Sequence, residues 1–279
     1  DPTVERQSGL LKPEFNNSNI LGSSITIPYF KAISDNKDAT FTPILFDKKM
    51  LMSQVEYREI NQNSSFIADF GYVNNYTSPS DNSKKNLYHL FAEYNLDLEL
   101  ENHISSDVSV SVERVINDSY LKVFSSHITD SVSLRPDFSK LENKLQLFLN
   151  HKKYNFQSGF ETYETLNVTP SDRYQYILPY YKLDLFIDQN YFNGSLNLKS
   201  SGSNDLNNTN KLETNLTNDL EYNSNDYYSN LGLKTNYDII FKNLNSVGKD
   251  SSKYKSSPQI ELVSLFNAEV SLPLIKTSE

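Results

Sequence analysis

Hydrophobic and polar positions alternate along most of this chain. The alternation is clean at Leu96-Asp97-Leu98-Glu99-Leu100, at Val108-Ser109-Val110-Ser111-Val112 and at Lys144 to Leu149. It returns at Leu183 to Asp188, at Ser195 to Leu198 and at Leu231-Gly232-Leu233. A repeat of two puts successive side chains on opposite faces of a β-sheet. The predicted strands are long: 86–100, 104–116, 141–153, 154–166, 173–190 and 211–222. Ordinary strands average about 5–6 residues, whereas a tilted strand needs about 9–11 to cross a bilayer. Polar stretches punctuate the pattern. Asn74–Lys85, Ser200–Asn210 and Asn243–Pro258 are predicted as long loops, with shorter breaks near Asp35, Asn61 and Thr169. Long and short connections alternate, as in barrels with loops on one side and tight turns on the other. Two architectures fit: a soluble sandwich with its apolar face inward, or a membrane barrel with that face toward lipid.

Composition sharpens this choice. Only 37% of the 279 residues are hydrophobic, with 19 Tyr, 16 Phe, no Trp and 8 Gly. Such a chain suits a thin sheet in which every second residue meets water. The 26 Lys and Arg against 35 Asp and Glu leave a net charge of −9. That argues against nucleic acid as a partner, because phosphate binding needs clustered cations. Without cysteine, disulfides, thiolate metal sites and thiol catalysis are excluded within this chain. No run of about 18 apolar residues predicts a membrane-spanning helix. The first residues, Asp1-Pro2-Thr3-Val4, carry no targeting pattern. A cytoplasmic location and a start beyond a targeting region both remain open on that ground.

Chemistry-bearing motifs are sparse. His89, His103, His127 and His151 lack zinc-helix spacing, and His103 with Asp107 falls short of a ligand set. All four are expected to face solvent. There is no nucleophile elbow, phosphate loop, dinucleotide fingerprint or calcium loop. Glu99 and Glu101 are expected to be solvated rather than an acid–base pair. No catalytic residue, metal or cofactor is assigned, and an enzyme is not expected.

Residues 2–72 are the informative segment. An opening motif reads Arg6, Ser8, Gly9, Leu10, Leu11 and Pro13. A second reads Ile27-Pro28-Tyr29-Phe30, Ile33, Asn36 and Asp38-Ala39-Thr40-Phe41-Thr42-Pro43, and a third is Glu56-Tyr57-Arg58. In order and spacing these resemble the LptD family of outer-membrane lipopolysaccharide-assembly proteins, whose pattern runs R-S-G-F-L-x-P, then P-Y-Y/F-W-x-I-x-P-N-x-D-A-T-x-T-P, then E-F/Y-R-Y. Gln7 is an insertion, Lys31 stands where the family usually has Trp, and Ser34 where it often has Pro. Asp107–Phe124, Tyr174–Leu185 and Val270–Leu274 are similar to later family segments.

The resemblance implies an all-β fold, the N-terminal half of an antiparallel transmembrane β-barrel, with about 10–12 long strands of a much larger barrel. Residues 1–20 would be a junction from a periplasmic domain, with 1–13 extended and poorly packed, and 21–279 the barrel part. It implies insertion of lipopolysaccharide into the outer leaflet through a laterally opening barrel in the bacterial outer membrane. Pro28 and Pro43 would lie at the lateral gate. Arg6, Ser8, Gly9, Pro13, Tyr29, Asp38, Thr40, Thr42, Glu56 and Arg58 carry the family motifs. The partners implied are lipopolysaccharide, outer-membrane lipid, an LptE-like lipoprotein plug and an LptA-like periplasmic bridge. Another outer-membrane barrel, a porin or transporter, and a soluble β-sandwich binding module are the alternatives. In a barrel, Val108, Val110, Val112, Leu183, Leu185 and Ile187 should face lipid, and Ser109, Ser111, Asp184 and Asp188 the lumen.

Overall fold

The structure is a computed structural model that describes residues 6–47, 49–78, 82–128, 134, 137–169, 173–189, 193–208 and 210–272. It is antiparallel β throughout, apart from a single turn of helix among the described residues. In chain order the strands are β1 (Gly9–Leu10), β2 (Glu14–Ser18), β3 (Gly22–Thr26), β4 (Tyr29–Ser34), β5 (Lys37–Phe46), β6 (Leu51–Ile60), β7 (Ser64–Thr77), β8 (Lys84–Asp97) and β9 (His103–Val115). The helix α1 (Tyr120–Val123) follows. Then come β10 (Lys140–His151), β11 (Tyr154–Thr165), β12 (Tyr174–Gln189), β13 (Gly194–Asn207), β14 (Lys211–Ser224), β15 (Tyr227–Tyr228), β16 (Lys234–Lys249) and β17 (Gln259–Ser271). Among the described residues twelve strands run ten residues or more, in agreement with the length read from the alternation. All seventeen belong to one sheet. No helix among the described residues is long and apolar enough to cross a membrane, which leaves crossing by strands untouched. The backbone contacts divide into two units, 1–99 with 107–146 and 161–174, and 100–106 with 147–160 and 175–279.

In the first unit, register decides which side chains share a face. Tyr29, Phe41, Val55, Phe70 and Leu90 stand opposite one another in turn across β4 to β8. Each remains more than a third exposed, so this is an apolar row turned to the surroundings. Val108, Val110 and Val112 join the same face through Leu96, Tyr94 and Ala92. Ser109 and Ser111 fall on the other face, as the alternation requires.

That second face departs from expectation at one end. Near Asp38 and Thr42 it is polar, but farther along β5 to β8 it carries Ile44, Phe46, Met52, Val73, Leu87 and Phe91, all buried. Both faces are apolar there, and the segment after β9 supplies the cover. Tyr120, Leu121 and Phe124 close over this patch and are fully buried. Phe124 meets Tyr76 edge-on at 5.7 Å. Removing such apolar area from water is worth about 25 cal/mol per Å², which holds a short segment that has little helix of its own. A Cβ at Gly71 would collide with the His89 ring directly across the strand pair, so glycine is the residue that admits this packing.

In the second unit, Leu185, Leu198, Leu220 and Phe241 form an apolar row across β12, β13, β14 and β16. Leu183 and Ile187 lie on the same face. The opposite face carries a row of alternating charge, Asp184, Lys199, Asp219 and Lys242. Asp184 therefore lies on the face opposite Leu183 and Leu185, while the side chain of Asp188 lies outside the described residues.

Several predicted loops are strand instead. β13 continues to Asn207 and β16 to Lys249, so the connections shrink to 208–210 and 250–258. The cause is a cross-strand polar ladder. Ser200 Oγ donates to Asn218 Oδ1 at 2.8 Å, Asn218 Nδ2 to Asn243 Oδ1 at 3.3 Å, and Thr214 Oγ1 to Asn204 Oδ1 at 2.8 Å. These residues satisfy one another and need no turn. Likewise β7 reaches Thr77 and β8 begins at Lys84. Conversely, Leu98-Glu99-Leu100 and Leu231-Gly232-Leu233 alternate in sequence but lie in connections between strands, with φ of +51° at Glu99 and +78° at Gly232.

Candidate functional site

Pro28 separates β3 from β4, and the two form one interrupted strand along β5. Its carbonyl accepts from Leu11 N at 2.8 Å, on the edge away from β5. In an antiparallel strand the N–H and C=O of one residue point to the same side. The donor that Pro28 lacks is therefore missing from that outer edge. Pro43 lies inside β5, opposite Ser53 of β6, and its carbonyl accepts from Ile27 N at 3.1 Å. Its missing donor faces the β3–β4 strand. Two adjacent ladders thus each lose a hydrogen bond beside the same short stretch, Ile27-Pro28.

The family-motif residues gather around this stretch. Asp38 is buried and accepts from Arg58 Nε at 2.8 Å and from Arg6. Arg58 also lies 3.6 Å from Glu56, and the Arg6 guanidinium sits 5.8 Å from the Phe30 ring centroid. Thr40 stands between Phe30 and Glu56, and Thr42 is buried opposite Gln54. Tyr29 points to the apolar outer row, and Pro13 is exposed between β1 and β2. Gly9 pairs with Phe30, and Ala32 N donates to Ser8 Oγ at 3.0 Å. Residues 6–11 are extended with mostly exposed side chains, as expected of 1–13, but backbone pairing with β4 and the Asp38 carboxylate hold them in place. Residues 1–5 lie outside the described ones.

Two buried histidines were not legible in the sequence and correct the solvent-facing expectation. His89 is fully buried, with Nδ1 2.8 Å from Tyr120 Oη and Nε2 3.4 Å from Asp69. His127 Nε2 shares a hydrogen bond of 2.9 Å with Ser24 Oγ of β3, and its ring packs on Phe46. Burial pushes the His127 imidazole below its ordinary pKa and favours the neutral ring. These contacts tie the segment after β9 to β3, β5, β7 and β8. At the base of the same segment Arg173 clamps Asp118 in a two-point contact at 2.9 and 2.6 Å. That hydrogen bonding holds the Asp118 carboxyl below its usual range. No cluster among the described residues could hold a metal ion.

Long antiparallel strands with an apolar row on one face and a polar row on the other are what part of an outer-membrane-type β-barrel presents. No family model matches the sequence. Curated relatives do, and their names agree. LPS-assembly protein LptD of Idiomarina loihiensis is 26% identical over 161 residues, 58% of this chain and 20% of that protein. The LptD of Pseudoalteromonas translucida is 34% identical over 84 residues, 30% of this chain and 11% of the relative. That of Albidiferax ferrireducens is 40% identical over 57 residues, 20% and 7%. The resemblance to the LptD family read from the sequence is borne out by these relatives. The matched stretch spans about a fifth of the Idiomarina protein or less of the others.

Proposed function

We propose that this chain is the N-terminal part of an outer-membrane barrel that inserts lipopolysaccharide into the outer leaflet, and that lipid leaves sideways along the β3–β4 strand. The supporting observation is the placement of Pro28 and Pro43. Each absent ladder bond removes about 0.5–1.5 kcal/mol of net stabilisation, and both losses fall beside one strand. A seam that must part and reseal needs such a weak place. The charged and amide-rich face of β12–β16 suits the sugar and phosphate portion of the lipid, and the apolar face suits the membrane. No bond is made or broken in this task, so no catalytic group is required. A lipoprotein plug and a periplasmic bridge are the partners this reading carries.

The test is photochemical capture. A photoreactive residue at Phe30, on the seam strand, should cross-link lipopolysaccharide during export, whereas one at Leu198, on β13, should not. Equal capture at both positions, or none at Phe30, would contradict exit along β3–β4.

A further inference from the structure

The strand formed by β3 and β4 has β5 on one edge, and its other edge is already occupied. β2 pairs with β3 from Glu14↔Thr26 to Ser18↔Gly22, and β1 pairs with β4 at Gly9↔Phe30 and Leu10↔Tyr29. Leu11 N bridges the gap by donating to the Pro28 carbonyl. Side chains add independent anchors. Arg6 reaches Asp38, Ser8 bonds Ala32, and Asn16 Nδ2 donates to the Ser126 carbonyl at 3.2 Å. Residues 8–18 therefore form a strap that satisfies the edge left by β5.

We propose that this strap is a displaceable occupant of the seam edge, competing with whichever strand closes the barrel there. The inference rests on reading β3–β4 as the seam strand. An uncovered edge is a row of unpaired donors and acceptors, which a bilayer does not tolerate. If the seam parts, some strand must take that edge. The strap is well placed, because only Asn19, Ile20 and Leu21 separate it from β3. A tether that short gives a high effective concentration at the edge. The pairing is also weak in its middle: Pro28 offers no donor, and β1 and β2 are separated by the exposed segment Leu11–Pro13. Phe15 and Leu10 on the strap are 82% and 71% exposed, so little side-chain burial opposes its release. The strap fills the edge while the seam is open and yields it on closure.

Cysteine cross-linking in the full-length protein tests this. Phe15 and Ile25 face each other in register, and this segment contains no cysteine of its own. The Phe15→Cys, Ile25→Cys pair should oxidise in the membrane. The bonded form should lose at least fivefold of lipopolysaccharide export, recovered on reduction. The control pair Ile25→Cys, Leu45→Cys joins β3 to β5 and should bond without affecting export. The proposal is overturned if the control bonds but the strap pair never does. It is equally overturned if the strap pair bonds fully and export is unchanged. Neither result alters lipid capture at Phe30, so failure of the strap is distinguishable from failure of the seam itself.

Discussion

Replacing Pro28 and Pro43 together with alanine in the full-length protein is expected to lower lipopolysaccharide at the cell surface and to sensitise cells to hydrophobic antibiotics. Alanine restores an N–H at each position. The new donor at residue 43 faces the Ile27 carbonyl, and the one at residue 28 faces the outer edge of β3–β4, by the geometry of the partners that the two proline carbonyls already have. Only the donor at residue 28 lies on the edge that parts, where one ladder bond is worth about 0.5–1.5 kcal/mol. At 1.4 kcal/mol per tenfold, that shifts an opening equilibrium by about 2–12-fold. The donor at residue 43 ties β3–β4 more firmly to β5. A whole barrel would hardly register this gain, but a seam poised near balance would stay shut. Pro28 by itself could be an ordinary strand-end proline, since it falls between β3 and β4. Pro43 could not, because β5 runs through it from Lys37 to Phe46. Unchanged export and unchanged antibiotic sensitivity in the double variant would remove the gate from this account.

The second large effect is expected at Asp38. Its carboxylate, 5% exposed, sits between the guanidiniums of Arg6 and Arg58, which are 48% and 43% exposed. Breaking a fully buried ion pair costs about 3–5 kcal/mol. Here water can reach both arginines, so the relevant scale is a charge-assisted hydrogen bond, about 1.5–3 kcal/mol. Asp38→Ala should lower the unfolding midpoint, read as the heat-induced mobility shift on gels, by on the order of 5 °C. It should also make the chain cleavable by trypsin after Arg6. Asp38→Asn keeps one acceptor and should recover part of the loss. An unshifted midpoint with Arg6 still protected would mean that the cluster is incidental to the first hairpins.

The sequence predicted the strands well where burial is one-sided. In β9 and β12 one face carries the apolar residues and the other the polar ones, and the alternation records that directly. It misled where the physics was different. β13 and β16 extend through Ser, Asn and Thr because those side chains bond across strands, a partner effect that one strand's sequence cannot display. His89 and His127 were read as surface residues because nothing local marks the aromatic cover that Tyr120 and Phe124 bring down on them. The motif residues fared better. Asp38, Glu56 and Arg58 are separated in sequence, yet they converge because register brings alternate positions of β5 and β6 onto one face, and the pairing of β1 with β4 brings Arg6 to Asp38. Pro28 and Pro43 are visible as residues, but the edge each one weakens becomes apparent only from the partners of their carbonyls. The strap was missed because residues 8–18 carry no alternation of their own, and their pairing follows from the edge they cover.

The most direct measurement is the fate of newly made lipopolysaccharide when the full-length protein is depleted from its own cells. Surface lipopolysaccharide, followed by pulse labelling and protease-shaved whole-cell detection, should fall as the protein disappears. The new molecules should accumulate on the inner side of the envelope, and a plasmid copy should restore delivery. Continued arrival of labelled lipopolysaccharide at the surface at the normal rate, with the protein absent, would contradict the assembly role.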